Sequence, residues 1–282
     1  MTGVALALLA AIGFGVDDFL GGIASRRVAA IRVVLVSYPI AMVLLGVLAA
    51  VIGGPISAGA VIWGSLGGIA QACGVWWLYA ALGAGPISVV SPLTAVLTAT
   101  VPVAIGIAMG ERPGLLPAVG IALAMVAVVL VSRESPADED VRTHRFTTAV
   151  ALLTIGSGVA FGLNFALMHQ APVGSKLWPL LFARMSATML VIFAAAASRN
   201  LRLPSGKPLR LALTLPVLDA GANVAMLLAL HASLLSLASV LISLYPVATV
   251  VLAMAVLRER VTRWQALGMI LAAVSVSMIA AT

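Results

Sequence analysis

Apolar residues run for about twenty positions at a time along this chain, and each run ends at Gly, Pro or charged residues. Runs of that length fit a ~30 Å hydrocarbon core crossed at 1.5 Å per residue, so they predict transmembrane helices. Ten spans follow, roughly 3–24, 30–52, 57–82, 86–109, 114–132, 147–170, 176–197, 209–231, 234–257 and 262–281. The runs lack the strict alternation of a β-barrel strand. The expected fold is an all-α polytopic membrane protein.

One extended polar stretch interrupts the pattern, R-E-S-P-A-D-E-D-V-R-T-H-R-F from Arg133 to Phe146. It divides the spans five and five, which predicts a first five-helix unit over 1–132, a polar cytoplasmic linker over 133–146 and a second unit over 147–282. The two units align. A shift of 148 sets A-L-G-A-G-P-I-S-V-V-S (Ala81 to Ser91) on A-L-H-A-S-L-L-S-L-A-S (Ala229 to Ser239), and E-R-P-G-L-L-P-A-V-G (Glu111 to Gly120) on E-R-V-T-R-W-Q-A-L-G (Glu259 to Gly268). About a dozen of the 45 positions between Ser88 and Ser132 match. Near the start the shift is 147, and F-G-V-D (Phe14 to Asp17) falls on F-G-L-N (Phe161 to Asn164). Five is odd, so the second repeat must cross the membrane upside down relative to the first. Inverted repeats recur in secondary transporters, with the substrate held near the midplane between the halves.

Composition agrees with this picture: 62% of the 282 residues are hydrophobic and 9% charged, against about 25% charged in soluble domains. A pI of about 10.8 would invite nucleic acid as a partner if the charges were spread over a soluble surface. They are not. Counting loops alternately puts Arg26, Arg27, Arg32, Arg133, Arg142, Arg145, Arg199, Arg202, Lys207, Arg210, Arg258, Arg260 and Arg263 on one side, and only Arg112 and Lys176 on the other. The positive-inside rule makes the first side cytoplasmic and places both termini outside. The partners expected are a small-molecule substrate and the anionic lipid bilayer of the plasma membrane, not nucleic acid. A homo-oligomer is compatible with the sequence.

The first span has no basic leader and carries two carboxylates, so it reads as a retained helix and not as a signal peptide. Cys73 is the single cysteine, which excludes an internal disulfide. His144, His169 and His231 have no partners at metal-ligand spacing, so neither a metal nor a cofactor is expected. No nucleophile elbow or phosphate-binding loop occurs, and the loops are too short for a catalytic domain. The chain does not read as an enzyme.

Four charged residues lie well inside the spans, away from their ends: Asp17 and Asp18 in the first, Arg184 in the seventh and Asp219 in the eighth. Such charges are expensive in a bilayer and mark pathways. Three carboxylates against one guanidinium leave −2 if all ionise, which leads to the expectation that at least one Asp carries a proton or pairs with a bound cation. Asp17 and Asp18 stand about 100° apart on a helix, and only Asp17 has a polar equivalent, Asn164, across the repeat. Asp17 is therefore expected to line a central cavity and Asp18 to pair or cap elsewhere. The same symmetry joins Gln71 to Asp219, giving Asp17, Asp18, Gln71, Asn164, Arg184 and Asp219 as substrate or coupling-ion residues. Trp76, Trp77 and Tyr79, one to two turns beyond Gln71, are candidate pocket-lining aromatics.

The five-helix repeat, F-G-x-[DN] in the first helix of each half, Glu-Arg between the fourth and fifth, and L-F-A-R-M-S-A-T from Leu181 to Thr188 together resemble the EamA type of the drug/metabolite transporter superfamily. The resemblance covers essentially the whole chain. It implies a ten-helix 5+5 fold and transport, usually export, of small metabolites without ATP hydrolysis. Two features depart from it. Phe14 and Phe161 stand where the family often has Trp, and the second-helix Arg, present as Arg184, has Tyr38 as its counterpart, which adds Tyr38 to the pocket candidates. The family's termini are commonly drawn as cytoplasmic, against the charge count here. The primary expectation is a secondary exporter of amino acids or amphipathic compounds, proton-coupled or exchange-driven. A lipid or lipid-carrier flippase and a non-transporting scaffold are the alternatives.

Overall fold

A computed structural model describes residues 2–25, 28–84, 87–132, 147–197, 201–258 and 261–281. The polar segment 133–146 and the pair Glu259–Arg260 lie outside the described residues. The first half contains α1 (Thr2–Ser25), α2 (Ala30–Ile52), α3 (Ala58–Ala84), α4 (Ile87–Ala108) and α5 (Leu115–Val131). The second contains α6 (Thr148–His169), α7 (Trp178–Ala197), α8 (Lys207–Ala232), the broken pair α9 (Leu235–Ile242) and α10 (Tyr245–Leu252), and α11 (Arg263–Ala280). Eight segments are long and apolar enough to cross a membrane, and two shorter apolar helices, Leu93–Ala108 and Leu115–Val131, accompany them. The chain is a multi-pass membrane protein.

Hydrophobicity alone does not orient these helices, because they are apolar nearly all round. Small residues do. At Gly68 of α3 a Cβ would collide with the carbonyl oxygen of Ala183 in α7, so only glycine permits the observed approach. Alanines fill the same role along α1 and α8, where Ala7, Ala10, Ala220, Ala225 and Ala229 are buried. Close backbone contact of this kind replaces the hydrophobic effect as the source of helix association in lipid. Several buried hydroxyls donate within their own helices, as in Thr98 to the Thr94 carbonyl at 2.9 Å and Thr154 to the Val150 carbonyl at 2.7 Å, while Ser157 of α6 donates to the Gly74 carbonyl of α3 at 2.8 Å.

The helix contacts obey a twofold exchange of halves: α1 packs on α8 as α6 packs on α3, α4 on α6 as α9 and α10 on α1, and α3 on α7 as α2 on α8. The self-equivalent pairs α2·α7 and α5·α11 lie on the axis. In α5·α11, Gly120 meets Ile279 while Gly268 meets Val131, so the equivalent helices run antiparallel. That direction inverts one half relative to the other.

One element departs from the repeat. The ninth span was expected as a single helix, and instead it breaks at Ser243–Leu244 and restarts with Tyr245-Pro246. Pro246 sits in the first turn of α10, where its missing N–H is an orphan position in any case. The break lies against α1: Gly15 abuts the Tyr245 carbonyl, and Thr249 Oγ1 donates to the Gly15 carbonyl at 3.1 Å.

The Glu-Arg element also has a structural role. Glu111, in the connection after α4, accepts hydrogen bonds from the backbone N–H groups of Leu235 at 2.5 Å and Ser236 at 2.9 Å. A carboxylate thus caps the N-terminus of α9 from the opposite repeat, where free N–H groups and the helix dipole favour negative charge. Glu111→Ala is expected to lower stability by about 1–2 kcal/mol, read as a reduced melting temperature of the purified protein. An unchanged melting temperature would mean that water replaces the cap.

Candidate functional site

A cavity of about 400 Å³ lies between the halves. Its wall shows a helical stripe from each contributing element. From α1 come Phe14, Asp17, Asp18 and Gly21, the i, i+3, i+4, i+7 face of one helix. Across from it, α3 contributes Gln71, Val75 and Leu78, α6 contributes Phe161, Asn164 and Phe165, and α8 contributes Leu215, Asp219 and Met226. Ser37 and Tyr38 of α2, Thr98 of α4 and Tyr245 at the restart of the ninth span complete the polar lining.

Asp17 and Asp18 therefore share the cavity. The expectation that Asp18 caps or pairs elsewhere is corrected by the geometry: the stripe through Phe14 and Gly21 bisects the angle between the two carboxylates, so both edges of it face inward. Asp18 is exposed to the cavity and Asp17 is half-buried. Asn164, the equivalent of Asp17, donates from Nδ2 to the Gly67 carbonyl of α3 at 2.9 Å. It lines the cavity and ties two helices together.

Arg184 stands behind the wall. It is 2% exposed, and its Nη2 lies 2.6 Å from Asp219 Oδ2, itself 13% exposed. The guanidinium covers the Tyr38 ring at 4.4 Å from the centroid, a cation–π contact strengthened by desolvation. The antiparallel meeting of α2 and α7 on the pseudo-twofold axis brings these equivalent positions face to face. One of the two is charged and the other is an aromatic ring that receives the charge on its face. Asp219 is held further by Asn223 one turn on, whose Nδ2 donates to Asp219 Oδ1 at 3.0 Å and to the Asp219 carbonyl at 2.7 Å. Sequence reading missed Asn223 and Tyr245; the Asp-x-x-x-Asn spacing on one helix face was the available signal for the former. Arg184 Nη1 and Asp17 Oδ1 are buried without a hydrogen-bond partner among the described residues.

The two tryptophans do not line the cavity. Trp77 packs over Gly156 of α6 and is 37% exposed. Trp76, 50% exposed, lines a separate apolar groove of about 300 Å³ formed by α2, α3 and α7. Successive residues on a helix diverge by about 100°, and the cavity takes the Gln71–Val75–Leu78 face instead. The side chain of Tyr79 lies outside the described residues.

The cavity is displaced toward one face. On α1 and α3 it uses the C-terminal parts and on α2 and α8 mainly the N-terminal parts, which end on the face that carries Arg32, Arg202, Lys207 and Arg210, while α6 contributes Phe161, Asn164 and Phe165 from the half nearer the opposite face. At the opposite face the connections are tied together. Lys176 Nζ donates to the Ile52 carbonyl at 2.9 Å, Trp178 Nε1 to the Gly54 carbonyl at 3.0 Å, and the Ser57 and Ser175 hydroxyls share a hydrogen bond of 2.7 Å. Gly54 has φ of +101° and admits Gly174 against its backbone. His169 Nδ1 meets the Leu230 carbonyl at 2.7 Å on the same side.

Two inverted helical halves enclosing a charged cavity define a class of two-repeat integral membrane proteins. The sequence profile of the EamA-like transporter family matches residues 1–133 and again residues 148–281. The chain belongs to that family, which is one of membrane transporters. No curated protein matches it. One solved structure, described as "Crystal structure of protein", is similar in fold, with a TM-score of 0.72, 15% identity and 95% coverage of each chain.

Proposed function

We propose that the protein is a secondary transporter that exports small organic solutes from the cytoplasm by alternating access between its two halves. The observation that carries this reading is the carboxylate-lined cavity between inverted repeats, placed toward the Arg-rich face while the opposite face is tied shut. The positive-inside rule makes the Arg-rich face cytoplasmic, in a plasma membrane, with ten crossings and both termini outside. The structure then corresponds to an inward-facing state. Asp17 and Asp18 contact the substrate or the coupling ion, and the Arg184–Asp219 pair reports occupancy to α7 and α8. Three carboxylates with one guanidinium favour coupling to a proton or exchange of one cation for another.

Proteoliposomes loaded with a mixture of amino acids and ammonium compounds, with efflux followed by mass spectrometry, test this directly. Wild type is expected to release a subset of the solutes, faster under an opposing pH gradient. Asp17→Asn is expected to slow release at least about tenfold, the loss of one charge-assisted contact of ~1.5–3 kcal/mol. Efflux no faster than from empty vesicles would reject transport. Full gradient dependence in Asp17→Asn would remove Asp17 from coupling.

A further inference from the structure

The apolar groove beside Trp76 and the central cavity are not independent. Val34 of α2 and Val75 of α3 line both, so a seam one side chain thick separates the carboxylates from a trough on the outer surface of the helices. Among the described residues the trough holds no charged side chain: beyond the seam it presents Ala72, Trp76, Leu190 and Val191. The cavity has the opposite character: among the described residues no basic side chain lines it beside Asp17 and Asp18, Arg184 being committed to Asp219, and the rings of Phe14, Phe161 and Tyr245 line it with them. Charge and aromatic faces both select a cation. We propose that the substrate is an amphipathic organic ammonium ion, its head between Asp17 and Asp18 and its single apolar tail lying through the Val34–Val75 seam in the groove of α2, α3 and α7.

The inference rests on the transport reading and adds the substrate class and its lateral route. A tail in the groove stays in lipid-like surroundings while only the head leaves water, so no continuous aqueous path is needed for the chain. The groove's ~300 Å³ corresponds to roughly ten water-sized groups at about 30 Å³ each. That is room enough for one short tail, and a phospholipid is disfavoured because the carboxylates would repel its phosphate.

The test uses the purified full chain in uncharged maltoside micelles, with Trp63, Trp77, Trp178 and Trp264 replaced by Phe so that Trp76 is the sole fluorophore. ω-Bromodecyltrimethylammonium is expected to quench Trp76 saturably. Excess tetramethylammonium should reverse the quenching, and Asp17→Asn combined with Asp18→Asn should weaken it at least tenfold. The matching bromodecyl sulfate should quench only weakly and without saturation. Equal quenching by the sulfate, or quenching that tetramethylammonium leaves untouched, would show tails merely dissolving beside an exposed Trp and would overturn the proposal. Calorimetry on the unaltered protein supplies the second reading, with affinity rising about threefold to fourfold per methylene from ethyl- to decyltrimethylammonium. A flat series, or one that falls as the chain outgrows the cavity, would equally overturn it. Ammonium binding without efflux would reject the transport reading alone, whereas efflux of other solutes without ammonium binding would reject this inference alone.

Discussion

Replacing Arg184 by Ala is expected to destabilise the folded protein by about 3–5 kcal/mol and to abolish transport. The guanidinium is 2% exposed and sits 2.6 Å from a carboxylate that is 13% exposed, so its removal leaves Asp219 charged and unpaired in the interior, the costly half of a broken buried pair. Lysine does not substitute, because an ammonium neither stacks flat on Tyr38 nor spreads its donors in a plane. The companion variant separates charge from packing. Arg184→Met with Asp219→Leu removes both charges together and is expected to recover most of the lost stability, as apolar replacements of buried pairs commonly do, while transport stays lost. Thermal unfolding of the purified variants and vesicle efflux read the two effects separately. A single variant within 1 kcal/mol of wild type would show that the pair is reached by water, and a transport-competent double variant would remove it from the cycle.

The positions of the helices were legible because a membrane span declares itself by length and hydropathy, which need no partner. The repeat was legible too, through rare letters such as Glu111-Arg112 and Glu259-Arg260. What the chain conceals is rotation about each helix axis. An amphipathic helix of a soluble protein shows its buried side as a stripe, whereas Ala, Gly, Val and Leu on every side of α3 leave Trp76 and Trp77 equally plausible as cavity residues until the neighbours α6 and α7 are placed. The α1 stripe was readable in principle. Phe14, Asp17, Asp18 and Gly21 hold the spacing of one face, and comparing only the two carboxylates with their repeat equivalents obscured it. The same comparison paired Tyr38 with Arg184, and the two meet in the structure because positions near a twofold axis face their own equivalents. The break at Ser243–Leu244 was not legible in the span's hydropathy; it lies where Gly15 meets the Tyr245 carbonyl, a contact that no local pattern announces.

Alternating access requires the Lys176 face to part, and the Ser57–Ser175 contact provides the place to prevent it. Their hydroxyl oxygens are 2.7 Å apart across the two halves, a geometry that two cysteine sulfurs can occupy at the ~2.05 Å of a disulfide with little backbone movement. In a Cys73→Ser background, Ser57→Cys with Ser175→Cys should cross-link on oxidation and hold the protein open to the Arg-rich side. The decisive measurement is efflux from vesicles containing this variant before oxidation, after it, and after reduction. The account predicts flux when reduced, flux at the level of protein-free vesicles when cross-linked, and recovery on reduction. Undiminished efflux from fully cross-linked protein would contradict it, because the halves would then be moving solute without separating where the structure holds them together.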